Sequence, residues 1–139
     1  MDRVGAHGWT DAEISLSGLV VRRDLAELFG GFEGARLCAT MQVHSEDPIF
    51  WPGDVVGEAV YIHKLAVARD AAGVGWPARL IDHAQTLGKV RRAHFLRLDT
   101  LAGRLVDYYR NLGFLVRSDA PMVVDGLPFI RLERHLARH

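Results

Sequence analysis

The sequence holds a single cysteine, Cys38, so no internal disulfide can form. That excludes the disulfide-stapled scaffolds of small secreted proteins and fits a reducing compartment. Neither charge is in excess: 17 basic and 17 acidic residues give a formal net charge of zero. This argues against nucleic acid as a partner, which would ask for a basic face. No apolar run approaches the roughly 20 residues that span a bilayer, and the first residues lack the basic-then-apolar pattern of a leader. A cytoplasmic protein with no membrane partner is therefore expected. No repeat or low-complexity tract is visible. The histidines show no H-E-x-x-H spacing, so no metal is expected.

What remains is an ordinary globular mixture, 49% hydrophobic and 24% charged, over 139 residues. That is enough for one domain, 1–139, with a real core. Its front is short. Met1 to Trp9 reads as a loose arm, and Thr10-Asp-Ala-Glu13 as a capping box opening a short helix with Ile14 buried. Leu19-Val-Val21 would also suit a strand. About 1–26 precede the first firm element. Leu25, Leu28 and Phe29 have helical spacing with Gly30 as a stop. The alternative is a hairpin: strand Glu27 to Phe32, turn Glu33-Gly34, strand Ala35 to Val43. In that second strand Ala35, Leu37, Ala39, Met41 and Val43 alternate with Arg36, Cys38, Thr40, Gln42 and His44, which is period two. Gly30-Gly31 is a cost inside a strand. Cys38 reads as a small buried strand residue.

His44 to Val56 is a loop with two prolines, Asp47, Trp51 and Asp54, bulky enough to wall a pocket. Its acids could favour a cationic substrate or simply be solvated. Gly57 to Val67 follows as a long strand, apolar on both faces towards its end, as a central strand should be. It runs into Asp70-Ala-Ala-Gly-Val-Gly-Trp-Pro77. A helix, Pro77 to Leu87, runs out, with Leu80, Ile81, Ala84 and Leu87 on one stripe and Gly88 as a stop. Strand, glycine loop and helix start converge free N–H groups and a positive helix end on one point, which attracts anions. Ala93 to Leu98 is the next strand, parallel to the first because a helix crosses between them. Leu101 to Leu112 is a second helix, with Leu105, Val106, Tyr109 and Leu112 on one face and Gly113 as its C′ glycine. Phe114 to Arg117 is a short strand, Asp119 to Gly126 a loop, and Leu127 to Leu136 a last strand with Phe129 or Ile130 buried. The sum is α/β with a mixed sheet.

Three segments carry a resemblance: Tyr61–Val67 (YIHKLAV), Asp70–Ala84 (DAAGVGWPARLIDHA) and Leu105–Phe114 (LVDYYRNLGF). In order and spacing the chain from about Glu27 to Leu136 resembles the GNAT superfamily of N-acetyltransferases. The resemblance implies a GNAT-like, mostly antiparallel sheet with a central parallel strand pair flanked by helices. It also implies an acyltransferase reaction: a small-molecule amine attacks acetyl-CoA directly in a ternary complex. The alternative is a GNAT-fold protein with lost or altered activity, serving as an acyl-CoA-binding or interaction module.

The resemblance assigns roles residue by residue. Backbone N–H groups of Ala72, Gly73, Val74, Gly75 and Trp76, with Pro77 in the first helical turn, would hold the pyrophosphate. Backbone groups of Leu65, Ala66 and Val67 would pair with the pantetheine arm like an added strand. One N–H there would polarise the thioester carbonyl, an effect worth roughly 3 kcal/mol. Tyr109 would protonate the leaving thiolate, and its pKa of about 10 suits that task. Tyr108, its neighbour, should face elsewhere. The base is open among His63 (two residues before Leu65 and so on its strand face), Glu58 and Asp99. Asp70 departs from the family pattern, which has Arg or Gln there; an acid beside a pyrophosphate repels unless its side chain turns away. Leu101 and Ala102 stand where the family often has an asparagine. An unpaired sheet edge would also allow a homodimer.

Overall fold

The structure is a computed structural model and describes residues 19–20, 27–117 and 120–136. The expected arm, the Thr10–Glu13 capping box and Ile14 lie outside them. Among the described residues no helix is long and apolar enough to cross a membrane. The chain forms two compact units, Met1–His44 with Ile62–Thr86, and Ser45–Tyr61 with Leu87–His139.

The first unit contains β1 (Leu19–Val20), β2 (Glu27–Glu33), β3 (Arg36–His44) and most of β4 (Ala59–Val67). A 3₁₀ turn, Arg69–Ala71, and the start of α1 (Trp76–Val90) complete it. β1 and β2 are antiparallel, as are β2 and β3, so the hairpin reading holds and the helical reading of Leu28 and Phe29 does not. The alternation in β3 decides this: Ala39, Met41 and Val43 are buried while Thr40, Gln42 and His44 are half-buried. Gly31 has a packing reason. A Cβ on Gly31 would lie 2.5 Å from Cζ3 of Trp76, the buried first residue of α1. Register slips just beyond: Gly31 faces Ala39 and Phe32 faces Leu37, leaving Cys38 as a bulged residue. Cys38 is fully buried, as expected. Its carbonyl accepts the Ala68 N–H at 2.7 Å, which pins the chain between β4 and the glycine loop.

β4 itself is kinked. Lys64 has φ 52, in the left-handed region, and the strict alternation of the strand is lost there. Lys64 thus breaks the pleat between His63 and Leu65, so their two-residue spacing does not by itself put them on one face; His63, Leu65, Ala66 and Val67 are all half-buried.

The second unit contains the first residues of β4 and the end of α1, with β5 (Phe95–Leu101), α2 (Arg104–Asn111), β6 (Leu115–Val116), β7 (Met122–Val124) and β8 (Leu127–His135). β4 and β5 are parallel, with Ala59, Val60 and Tyr61 opposite Phe95, Leu96 and Arg97. β8 is antiparallel to β5, β6 and β7. Among the described pairings the sheet is therefore mixed and mostly antiparallel, with β4 and β5 parallel, as the resemblance implied. Leu96, Leu98, Phe114, Leu132 and Leu136 fill the core.

Several boundaries differ from expectation for identifiable reasons. Gly88 does not stop α1. It is buried, and a Cβ there would lie 2.6 Å from Leu136 Cδ1, so the glycine serves close packing. α2 begins at Arg104 because β5 runs on to Leu101 against Phe129. Leu105 is 52% exposed and does not join the face of Tyr109. Met122–Val124 is a strand on β8, not part of a loop. Phe129 and Ile130 are half-buried, and Leu132 is the buried residue of β8.

Candidate functional site

In the first unit, the glycine loop turns between β4 and α1. Gly73 (φ 86) and Gly75 (φ 85) both take the left-handed conformation that glycine adopts at no cost. A Cβ built on either meets nothing within 4 Å, so the backbone there is open to close approach. The Gly75 carbonyl accepts the Arg79 N–H, which fixes the start of α1. The N–H groups of the first turn then have no partner within the helix. Ala72 is an exception among the expected donors: its N–H donates to the Arg69 carbonyl at 3.3 Å, closing the 3₁₀ turn. Pro77 has no N–H and contributes only the fixed φ of a first-turn residue.

Phe32, Arg36, Asp70, Val74, Trp76 and Arg79 line a cavity of about 340 Å³ beside this loop. Asp70 does not stand alone in it. Its Oδ1 lies 2.9 Å from Arg36 Nη2, and Arg36 Nη1 lies 3.6 Å from Glu33 Oε1. The Asp70 hydrogen bond and charge raise the Arg36 pKa. Arg79 rests over the Trp76 ring at 4.1 Å. Neither arginine carries a local motif; only the fold brings Arg36 to Asp70. On β4, His63 packs edge-on against His44, 4.5 Å between ring centroids, and His44 Nε2 is 3.0 Å from Gln42 Oε1.

In the second unit, Tyr109 is set by the end of its helix. Gly113 (φ 94) donates to Arg110, and Phe114 donates across it to Tyr109, the pattern of a Schellman turn. The Phe114 and Tyr109 rings meet 6.1 Å apart, centroid to centroid. Tyr109 is 9% exposed and Tyr108 38%, so the two diverge as expected. Burial, then the charges of Tyr108 and Asp99, push the Tyr109 phenol up to about 12. It stays protonated across the physiological range. Asp99 is half-buried on β5, opposite Arg131.

Glu58 is otherwise engaged. Its Oε2 lies 3.4 Å from Arg97 Nη2, and its Oε1 accepts the Val55 N–H. Arg97 is the centre of a buried knot. Its side chain is 2% exposed, with Nη1 2.6 Å from Asp54 Oδ2 and Nε 2.9 Å from Glu133 Oε1. Tyr61 Oη donates to the same Asp54 oxygen, and burial followed by this bond pushes its phenol above its usual range. Burial alone would lower the Arg97 pKa; Glu133, Tyr61 and Asp54 outweigh it and raise it. Trp51 is buried against Tyr61 rather than open to a pocket. Asp54 is thus spent on Arg97 and Tyr61.

No family model matches the chain. The N-acetyltransferase YesJ of Bacillus subtilis (strain 168) is 30% identical over 113 residues, which is 70% of this chain and 63% of the relative. A Bacillus anthracis structure assigned as a streptothricin acetyltransferase, in complex with acetyl coenzyme A, matches with a TM-score of 0.68 and 15% identity, over 85% of this chain and 66% of that one. A GNAT family acetyltransferase from Elizabethkingia anophelis with acetyl-CoA bound matches with a TM-score of 0.62 and 16% identity, over 81% and 77%. The chain has the fold of the GNAT acetyltransferases. It spans just under two thirds of the length of the first two proteins.

Proposed function

We propose that this chain is an acetyl-CoA-dependent N-acetyltransferase for a small-molecule amine. The observation that carries this reading is the run from β4 through two left-handed glycines into a 15-residue helix. It lies within a fold shared with proteins solved with acetyl-CoA. Backbone N–H groups of Gly73, Val74, Gly75 and Trp76 hold the pyrophosphate, and open space at both glycines fits that task. Leu65, Ala66 and Val67 pair through their backbone with the pantetheine arm, one N–H polarising the thioester carbonyl. The amine lone pair attacks the carbonyl carbon, a C–N bond forms and the C–S bond breaks. Tyr109 gives its proton to the departing thiolate; its phenol is protonated at neutral pH and so has the proton to give. His63 takes the proton from the amine; Asp99 is the alternative base, while Glu58 already serves Arg97. Cys38, fully buried, takes no covalent part.

Asp70 at the lip of the loop favours a second reading, a GNAT-fold acyl-CoA-binding protein without turnover. Thiol release from acetyl-CoA across an amine panel, with wild type and Tyr109→Phe, separates the two. Turnover on some amine that falls about 10²-fold or more in the variant supports the transferase. Binding without turnover on any amine supports the second reading. No binding of coenzyme A would remove the basis of both.

A further inference from the structure

A carboxylate is a poor neighbour for a polyphosphate. Asp70 stands three residues before Gly73, at the edge of a loop whose N–H groups and helix start draw anions. Its charge is met by Arg36 at 2.9 Å, and both border the cavity of about 340 Å³. The cavity's charged lining is Arg36 and Arg79 against Glu33 and Asp70, a balance of zero; without Arg36 it becomes negative. The pair does little for folding, because the two side chains are 46% and 65% exposed. Its acids reach Arg36 from two directions, Glu33 at the hairpin turn and Asp70 on the 3₁₀ turn. Arg79, the other cation, is held over the Trp76 ring rather than on a carboxylate.

We propose that Arg36 is a positioning residue which makes the glycine loop fit for a phosphorylated ligand by neutralising Asp70. If coenzyme A is that ligand, as proposed above, its affinity depends on Arg36 through Asp70. An uncompensated carboxylate close to a multiply charged phosphate group costs several-fold in affinity at low salt and less as salt screens it.

Calorimetric titration with coenzyme A, and with pantetheine, which carries no phosphate, tests this on wild type, Arg36→Gln, Arg36→Lys, Asp70→Asn and the Arg36→Gln/Asp70→Asn double variant. Melting curves confirm that each is folded. At low salt Arg36→Gln should weaken coenzyme A by about five- to tenfold, with pantetheine unchanged and the deficit shrinking in high salt. Arg36→Lys should stay within about twofold of wild type, because it keeps the charge. Asp70→Asn should bind as well as wild type or better. The double variant should recover to within about twofold of wild type, since the repelling charge is gone. The inference is overturned if Arg36→Gln binds like wild type, or if the double variant stays as weak as Arg36→Gln. An equal loss for pantetheine, or a loss in Asp70→Asn, would overturn it too. A wild-type chain that binds no coenzyme A would overturn the coenzyme A reading and this inference together; normal wild-type binding with an unaltered Arg36→Gln overturns the inference alone.

Discussion

Arg97 and Arg36 both meet acids, and their surroundings give them opposite work. Arg97 is buried, with Asp54, Glu58 and Glu133 on its nitrogens and the Phe95 and Trp51 rings 4.3 and 4.9 Å from its guanidinium carbon. Arg36 is half in solvent and holds Asp70 and Glu33 at the rim of a cavity. Low dielectric makes every bond of the first matter, and makes losing one partner expensive. Water takes most of the strength out of the second, so its charge is felt chiefly by another charge brought close. The buried arginine organises a fold, and the exposed one is free to tune a ligand.

The largest expected effect breaks the buried half of the comparison. Arg97→Leu leaves Asp54, Glu58 and Glu133 facing one another in a site where Arg117 reaches only Glu133, at 3.3 Å. Loss of a buried partner of this kind costs about 3–5 kcal/mol. Urea unfolding should therefore show most of the stability gone, or no folded protein. A variant with unchanged midpoint would mean that water relaxes the knot and that Arg97 does not organise the fold.

The next effect sharpens burial itself as the cause. Tyr109 has its phenol pushed up to about 12 from 10, mainly by burial. The folded state therefore prefers the neutral phenol. Its contribution is complete below pH 10 and is lost as pH rises towards 12, by about 3 kcal/mol at most for a phenol raised this far. Denaturant melts from pH 9 to 12 should show this fall, and Tyr109→Phe should flatten part of it. Tyr61, also raised, keeps the remainder. Equal slopes in the variant and wild type would assign the alkaline loss elsewhere.

A third change asks what stabilises the region around Arg36 if its ion pair does not. Packing is the answer offered by Gly31, where an added Cβ would press into the Trp76 ring at 2.5 Å. Gly31→Ala should cost about 1–3 kcal/mol through overpacking. It should also disturb the start of α1, so coenzyme A affinity should fall with it. A neutral Gly31→Ala would show that Trp76 can move aside freely, and that α1 is not anchored on the hairpin by this contact.

The sequence made the glycine loop and the Tyr109 helix end readable because both are local. Gly73 and Gly75 need only their own backbone geometry, and the Schellman turn needs only Tyr109, Arg110, Gly113 and Phe114. Period two made β3 readable for the same reason. What stayed hidden was long-range. Gly88 looks like a helix stop until Leu136 is seen against it, and Gly31 looks like a strand breaker until Trp76 is. Asp54 and Trp51 look like pocket residues in a solvated loop until Arg97 and Tyr61 claim them. The Lys64 kink has no residue signature at all, and it removed the parity argument for His63. Asp70 looked like a fault in the loop because its partner, Arg36, lies in a different element.

The smallest expected effect is the one that separates the two arginines most sharply. Arg36→Gln should leave the thermal midpoint and the urea midpoint unchanged within measurement, since the Arg36 and Asp70 side chains are 46% and 65% exposed and surface pairs of this kind seldom contribute measurably. The same variant should lose coenzyme A affinity, while Arg97→Leu should lose the fold before affinity can be read. A clear drop in the Arg36→Gln melting point would place the pair among the contacts that hold the loop to the hairpin. The two arginines would then differ in degree only, and the affinity loss would follow from a loosened loop rather than from an exposed acid. A silent melt with a weakened titration keeps them different in kind: the exposed pair costs the fold nothing to keep, and it matters only when another negative charge arrives.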